Sequence, residues 1–244
     1  MKIEKIILNE ERDVSLVAYI PDISDEMPNM NVKAGVLVFP GGGYNYCSDR
    51  EAEPVAFEFM AKGYNVFILR YSLKENSVFP NPLNDAIEAL ELIKKKADEW
   101  HTDPDKIAVC GFSAGGHLAA ALSTMSDLKP NACILGYPCI LEEIGDVLAN
   151  PVPSLEKYVT DKTPPTFIVS AADDGLVPIK HSIEYAKALG ENKVPYEMHI
   201  FSRGGHGFST STSVVSSGNH LEYVKNTKIW IELCLVWLED IFKD

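Results

Sequence analysis

The stretch Ile107-Ala108-Val109-Cys110-Gly111-Phe112-Ser113-Ala114-Gly115-Gly116-His117-Leu118-Ala119 decides how the rest of this chain is read. Its first four residues are apolar and suit a short strand, and a helical pattern with apolar positions three and four apart runs over 114–125. Between them lies Gly-x-Ser-x-Gly, a pattern made for a sharp strand-to-helix turn. The turn forces its central residue into a strained backbone conformation, and the flanking glycines remove the side chains that would collide with it. Ser113 is thereby raised at the end of a strand, beside a helix amino terminus that favours negative charge. A tight turn that takes a small residue for packing would share this pattern, so the serine needs partners elsewhere in the chain. Gly116 reads as close packing of helix on sheet.

Working outward, similar short apolar runs occur at 35–39, 64–69, 132–135, 166–170 and 196–201. They alternate with helical patterns at 51–62, 82–100, 179–189 and about 222–242. Strands that are apolar on both faces imply a sheet covered on both sides, and alternation with helices implies right-handed crossovers and mostly parallel pairing. Two earlier strands, 5–8 and 14–20, have no helix between them and are predicted to form an antiparallel edge. Thr102-Asp103-Pro104-Asp105 reads as a turn ending one helix before a strand, and Pro178 as a helix start. Residues 137–164 hold Pro138, Pro151, Pro153 and Pro164 without a clear period, which predicts a small cap over a site. The expectation is one α/β domain of 244 residues, 46% of them hydrophobic.

A net charge of −13 argues against nucleic acid or an anionic membrane as partner, because both need clustered cations. Cys110, Cys133 and Cys234 sit inside apolar runs, and no pair of the five cysteines has Cys-x-x-Cys spacing, so they read as reduced buried thiols. Residues 1–13 lack the apolar core of a signal peptide, and no apolar run reaches the length of a membrane span. A cytoplasmic protein is expected, with a homo-oligomer left open. No cofactor and no metal are expected.

A serine hydroxyl needs a neutral imidazole within hydrogen-bond reach to become a nucleophile. Of six histidines, His206 stands out, because Gly204-Gly205-His206-Gly207 forms a turn just past the strand 196–201. His117 reads as a packed helix residue, and His101, His181, His199 and His220 as structural. The imidazole in turn needs a carboxylate to fix its tautomer. Asp173 and Asp174 follow the strand 166–170, and Asp174 is preferred because Asp174-Gly-Leu-Val-Pro178 leads into the next helix; an exchange of roles with Asp173 stays open. The order serine, acid, histidine is that of the α/β-hydrolase fold. Acyl transfer also needs donors for a developing oxyanion. The run Pro40-Gly41-Gly42-Gly43-Tyr44 after the strand 35–39 offers backbone amides, and so does Ala114. It lacks the ending of a phosphate-binding loop. Tyr44, Tyr71 and Tyr137 are candidates to line a pocket or to serve the framework.

Pro40 to Tyr44, Gly111 to Ala119, the Asp174 to Pro178 turn and His206-Gly207-Phe208 together resemble the small α/β-hydrolases known as acetyl-xylan esterases and related carboxylesterases, relatives of the hormone-sensitive-lipase group. The likeness runs from about Ala34 to the carboxyl terminus. By the match of Pro40-Gly41-Gly42-Gly43 to that group's His-Gly-Gly-Gly, Gly42 and Gly43 would be oxyanion donors alongside Ala114, with Pro40 replacing a histidine that often braces the loop. The function implied is a serine carboxylesterase acting on short, acetyl esters, including acetylated sugars. A small-molecule ester would be its substrate. An aminoacyl or dipeptidyl peptidase-like serine hydrolase is the alternative, with a non-catalytic hydrolase-fold binding protein behind it.

Overall fold

Strand residues alternate between two apolar environments, and this alternation explains the layers of the computed structural model, which describes residues 1–216 and 226–243. The elements are β1 (Lys2–Asn9), β2 (Val14–Ile20), β3 (Lys33–Phe39), α1 (Glu53–Met60), β4 (Asn65–Arg70), α2 (Asn81–Lys95), β5 (Thr102–Phe112), α3 (Ala114–Met125), β6 (Ala132–Gly136), β7 (Thr166–Ala171), α4 (Lys180–Glu191), β8 (Tyr196–Phe201) and α5 (Trp230–Ile241). Leu37 and Phe39 of β3 face a core shared with Leu90 of α2, Leu118 of α3 and Tyr185 of α4. Their neighbours Val36 and Val38 face the opposite core, with Phe59 of α1 and Trp230 and Leu238 of α5. Both faces of the sheet are therefore covered, as uninterrupted apolar strands require.

The eight strands lie in the order β1-β2-β4-β3-β5-β6-β7-β8. β2 runs antiparallel to β1 and β4, and every other pair is parallel. From β3 the chain moves to β4 on one side and then returns to β5 on the other. Such a switch point opens a crevice beyond the carboxyl ends of the two central strands, where ligands bind in sheets of this kind. Phe39, the last residue of β3, pairs with Gly111 of β5. The glycine run and Ser113 thus emerge side by side.

Two expectations are corrected. Residues 102–105 are not a free turn: Thr102 pairs with Lys33 at the start of β5, and Asn65 Nδ2 donates to Trp100 O and Thr102 Oγ1, each at 2.8 Å. These bonds draw the chain into the sheet early, so α2 ends at Lys95 instead of continuing to 100. The turn chemistry survives locally: the pairing with β3 shifts register between Lys33 and Gly35, and the Asp105 amide donates to Asp103 Oδ1 at 2.9 Å. The closing helix begins at Trp230 behind a 3-10 turn at Thr227–Ile229, while residues 217–225, with His220 and Glu222, lie outside the described residues. Among the described residues no helix is long and apolar enough to cross a membrane.

His117, one turn into α3, is fully buried. Its Nε2 faces the carbonyl of Pro153 at 3.1 Å, which can only accept, so Nε2 carries the proton and Nδ1 accepts from the Tyr44 hydroxyl at 3.0 Å. Burial lowers its pKa from 6.5 to about 4. An unfolded chain takes up this proton below pH 6.5 and the folded one only near pH 4, so stability is whole above that window and falls on acidification through it. The shift corresponds to roughly 3 kcal/mol. Urea unfolding between pH 7 and pH 4.5 should show a steeper loss for the native protein than for His117→Gln. Equal slopes would contradict the assignment.

Candidate active site

β5 ends at Phe112, and the chain turns at Ser113 with φ 53° and ψ −117°, a conformation that costs a non-glycine residue energy. The surroundings hold it there. The Ser113 amide donates to Gly136 O, and its carbonyl accepts from the amides of His117 and Cys139, all at 3.0 Å. α3 starts so close to β3 that a Cβ on Gly115 would lie 2.0 Å from the carbonyl oxygen of Phe39. A glycine is required there by contact alone.

Asp173 and Asp174 leave β7 together and divide the work. Asp173 Oδ1 accepts from the amides of Gly204 and Gly205, each at 2.8 Å, and so holds the loop after β8. Asp174 Oδ1 accepts from the amides of Leu176 and Val177, each at 2.9 Å, which turns Oδ2 toward His206 Nδ1 at 2.7 Å. An ionised carboxylate has no proton to give, so Nδ1 carries the hydrogen. The lone pair is then on Nε2, which lies 2.9 Å from Ser113 Oγ. The Asp174 side chain is 1% exposed and that of His206 is 17% exposed. The carboxylate is kept from water while the imidazole reaches the cleft. The other described histidines are placed elsewhere: His181 Nδ1 accepts from the amides of Ile140 and Leu141, His199 contacts Glu197, and His101 occupies the turn before β5.

The run Gly41–Gly43 faces the serine across a cleft of about 390 Å³ bordered by Gly42, Gly43, Ser113 and His206. Gly41 donates to Glu51 Oε2 at 2.8 Å. The amides of Gly42 and Gly43 make no hydrogen bond among the described residues. Gly42 has φ +122°, and a Cβ there would lie 2.1 Å from Tyr46 O, so any other residue would open the loop. Ala114 is the first residue of α3, where helix geometry leaves an amide without an acceptor in its own helix. Pro40 occupies the position of the bracing histidine expected from the resemblance, and its carbonyl is held by the Tyr71 hydroxyl.

None of the three tyrosines borders the cleft. Tyr44 supports His117, Tyr71 supports Pro40, and Tyr137 lies beneath His206 with ring centroids 5.0 Å apart. The Tyr137 hydroxyl donates to Glu51 Oε1 at 2.7 Å and accepts from the Ser209 amide at 3.1 Å. Burial, reinforced by Glu51, raises its pKa well above 10, so it stays a phenol. Cys139 Sγ is 3.9 Å from Ser113 Oγ, and burial lifts its pKa to about 12, which leaves a neutral thiol. Glu51 escapes a sequence reading because it sits among other acids at a helix start; its only distinguishing mark is what it meets in space.

The profile of the BD-FAE family matches residues 22–139, and that of the prolyl oligopeptidase family matches residues 147–230. The crystal structure of MGS-M1, an alpha/beta hydrolase enzyme from a Medee basin deep-sea metagenome library, superposes with a TM-score of 0.93 and 44% identity, covering 99% of this chain and 98% of that one. The chain belongs to the alpha/beta-hydrolase family. Endo-1,4-beta-xylanase B of Butyrivibrio fibrisolvens is 34% identical over an alignment of 241 positions that covers 86% of this chain and 38% of that protein. Acetylxylan esterase of Xylanibacter ruminicola is 29% identical over an alignment of 227 positions that covers 84% of this chain and 46% of that protein. Within the family the group is that of the acetyl-xylan esterase-like carboxylesterases. The chain spans less than half the length of these two curated relatives.

Proposed function

We propose that this protein hydrolyses short-chain carboxylic esters, acetyl esters of sugars among them, through Ser113, His206 and Asp174. The observation that carries the reading is the relay from Asp174 Oδ2 to His206 at 2.7 Å and from His206 to Ser113 Oγ at 2.9 Å, opening onto a cleft. Ser113 Oγ attacks the ester carbonyl while Nε2 of His206 takes its proton, and Asp174 stabilises the imidazolium. The carbonyl oxygen becomes negative against the amides of Gly42, Gly43 and Ala114, each such donor being worth about a hundredfold to a thousandfold in rate. His206 then protonates the departing alcohol, leaving an acyl group on Ser113. Water, deprotonated by the same imidazole, releases the acid.

A short acyl group suits the small cleft, whose border sets Asn45, Ser48 and Arg50 against the apolar side chains of Val147 and Leu176. The name of the Xylanibacter relative supports acetyl transfer to water from a sugar. The segment 137–164 acts as a fixed cap within a single domain: Val147 borders the cleft, the Ala149 amide donates to Gly43 O at 2.8 Å, and Leu148, Val152 and Leu155 are buried. Free thiols at all five cysteines suit a reducing compartment, the cytoplasm. Turnover of acetyl esters should exceed that of octanoyl esters by at least about tenfold in kcat/KM. A preference for octanoyl would overturn the substrate reading. The prolyl oligopeptidase match over residues 147–230 favours a second reading, amide cleavage. Aminoacyl p-nitroanilides in the same panel decide between them.

A further inference from the structure

The glycine loop and the histidine loop reach the cleft from different strands, and one buried side chain touches the supports of both. Glu51 is 3% exposed and lies in the 3-10 turn Asp49–Glu51. Its Oε2 accepts from the Gly41 amide at 2.8 Å, next to the two unbonded amides of the glycine loop. Its Oε1 accepts from the Tyr137 hydroxyl at 2.7 Å. That same hydroxyl accepts from the Ser209 amide at 3.1 Å, three residues beyond His206, and the Tyr137 ring stands edge-on to the imidazole at 5.0 Å. Ser209 is tied down twice more, its Oγ donating to Arg50 O and its carbonyl accepting from Trp230 Nε1 at 2.8 Å. The result is a closed circuit from Glu51 through Tyr137, Ser209 and Arg50 back to Glu51 along the chain, with the Gly41 amide held to it.

We propose that Glu51 is a positioning residue for ester cleavage, its side chain setting the oxyanion amides and the His206 loop in register with each other. This rests on the roles given above to Ser113, His206 and the glycine loop. A carboxylate is the group this place demands. The two groups that face it, an amide N–H and a hydroxyl whose oxygen is already accepting, are both donors, and only an acceptor with two oxygens satisfies both. Glutamine keeps one acceptor and presents its NH₂ to the other donor, so it repairs half of the tie. Alanine leaves a buried N–H and a buried O–H without partners. Misplaced oxyanion donors weaken the transition state far more than the bound ester, so the loss falls on kcat and leaves KM nearly unchanged.

The test uses the whole enzyme as Glu51→Ala, Glu51→Gln, Tyr137→Phe and the double variant. For each, kcat and KM for p-nitrophenyl acetate are measured per site titrated with a fluorophosphonate, together with inhibition by phenylboronic acid, which forms a tetrahedral adduct on an active serine. Glu51→Ala should lower kcat by about a hundredfold with KM changed less than about threefold, and should weaken phenylboronate by a similar factor. Glu51→Gln should recover part of the loss. Tyr137→Phe should cost about tenfold, and adding it to Glu51→Ala should cost no more than about twofold further, because both cut the same tie. A kcat per titrated site within about threefold of the native enzyme in Glu51→Ala overturns the proposal. Multiplying losses in the double variant with unchanged phenylboronate binding do so too. If Glu51→Ala does not fold, native kcat in both Glu51→Gln and Tyr137→Phe overturns it. Failure of the wider reading looks different, since the native enzyme would then resist fluorophosphonate labelling altogether.

Discussion

Ser113→Ala is expected to lower kcat for p-nitrophenyl acetate by about a millionfold, to abolish fluorophosphonate labelling, and to leave the protein folded. The size follows from the loss of the covalent route itself: with no hydroxyl 2.9 Å from His206 Nε2, the imidazole has only water to activate. The residual rate should remain above that in buffer, since the amides of Gly42, Gly43 and Ala114 still stabilise charge on the carbonyl oxygen. Stability should change by less than about 1 kcal/mol, because alanine carries the same backbone strain at φ 53° and His206 keeps its bond to Asp174. Turnover within about a hundredfold of the native rate, on protein freed of contaminating esterase, would defeat the nucleophile assignment.

Asp174→Asn is expected to cost about ten-thousandfold in kcat with KM little changed. The amides of Leu176 and Val177, both donating to Oδ1, decide how an asparagine would sit. Its carbonyl takes the place of Oδ1, and its NH₂ is left facing His206 Nδ1. A donor there obliges Nδ1 to accept, which moves the imidazole proton to Nε2 and removes the lone pair that Ser113 needs. The geometry survives while the tautomer is wrong. Asp173→Asn is the matched control: its oxygen can still accept from Gly204 and Gly205, so the loss should stay within about tenfold. A Asp174→Asn variant with more than a tenth of native activity, or a larger loss in Asp173→Asn, would reverse the roles of the two acids.

The choice between those acids illustrates how far the residues can be read in a line. The turn from Asp174 to Pro178 points to Asp174 because of where it leaves the strand, yet only the amides of Leu176 and Val177 show which carboxylate is aimed and which one holds the neighbouring loop. The residues 102–105 show the reverse failure. Asp-Pro-Asp is turn chemistry, and a local pattern carries no record of Asn65, which draws Thr102 into the sheet from 37 positions away. Likewise the tyrosines at 44, 71 and 137 carry no sign of their direction, because an aromatic ring packs equally well beneath a site or beside it.

Periodicity and spacing carry the layered α/β architecture, the antiparallel edge and the elbow around Ser113, and they single out His206 among six histidines, since each depends on neighbours within a few positions or on order along the chain. Register between loops belongs to the folded molecule. The hydrogen-bonded tie of Glu51 to Gly41 and Tyr137, the division of labour between Asp173 and Asp174, and the pairing of Phe39 with Gly111 that sets the glycine run beside the serine all join positions far apart in the chain. Such contacts arise only when the sheet has set its strand order, because hydrogen bonds act over about 3 Å and strand order is a property of the whole core.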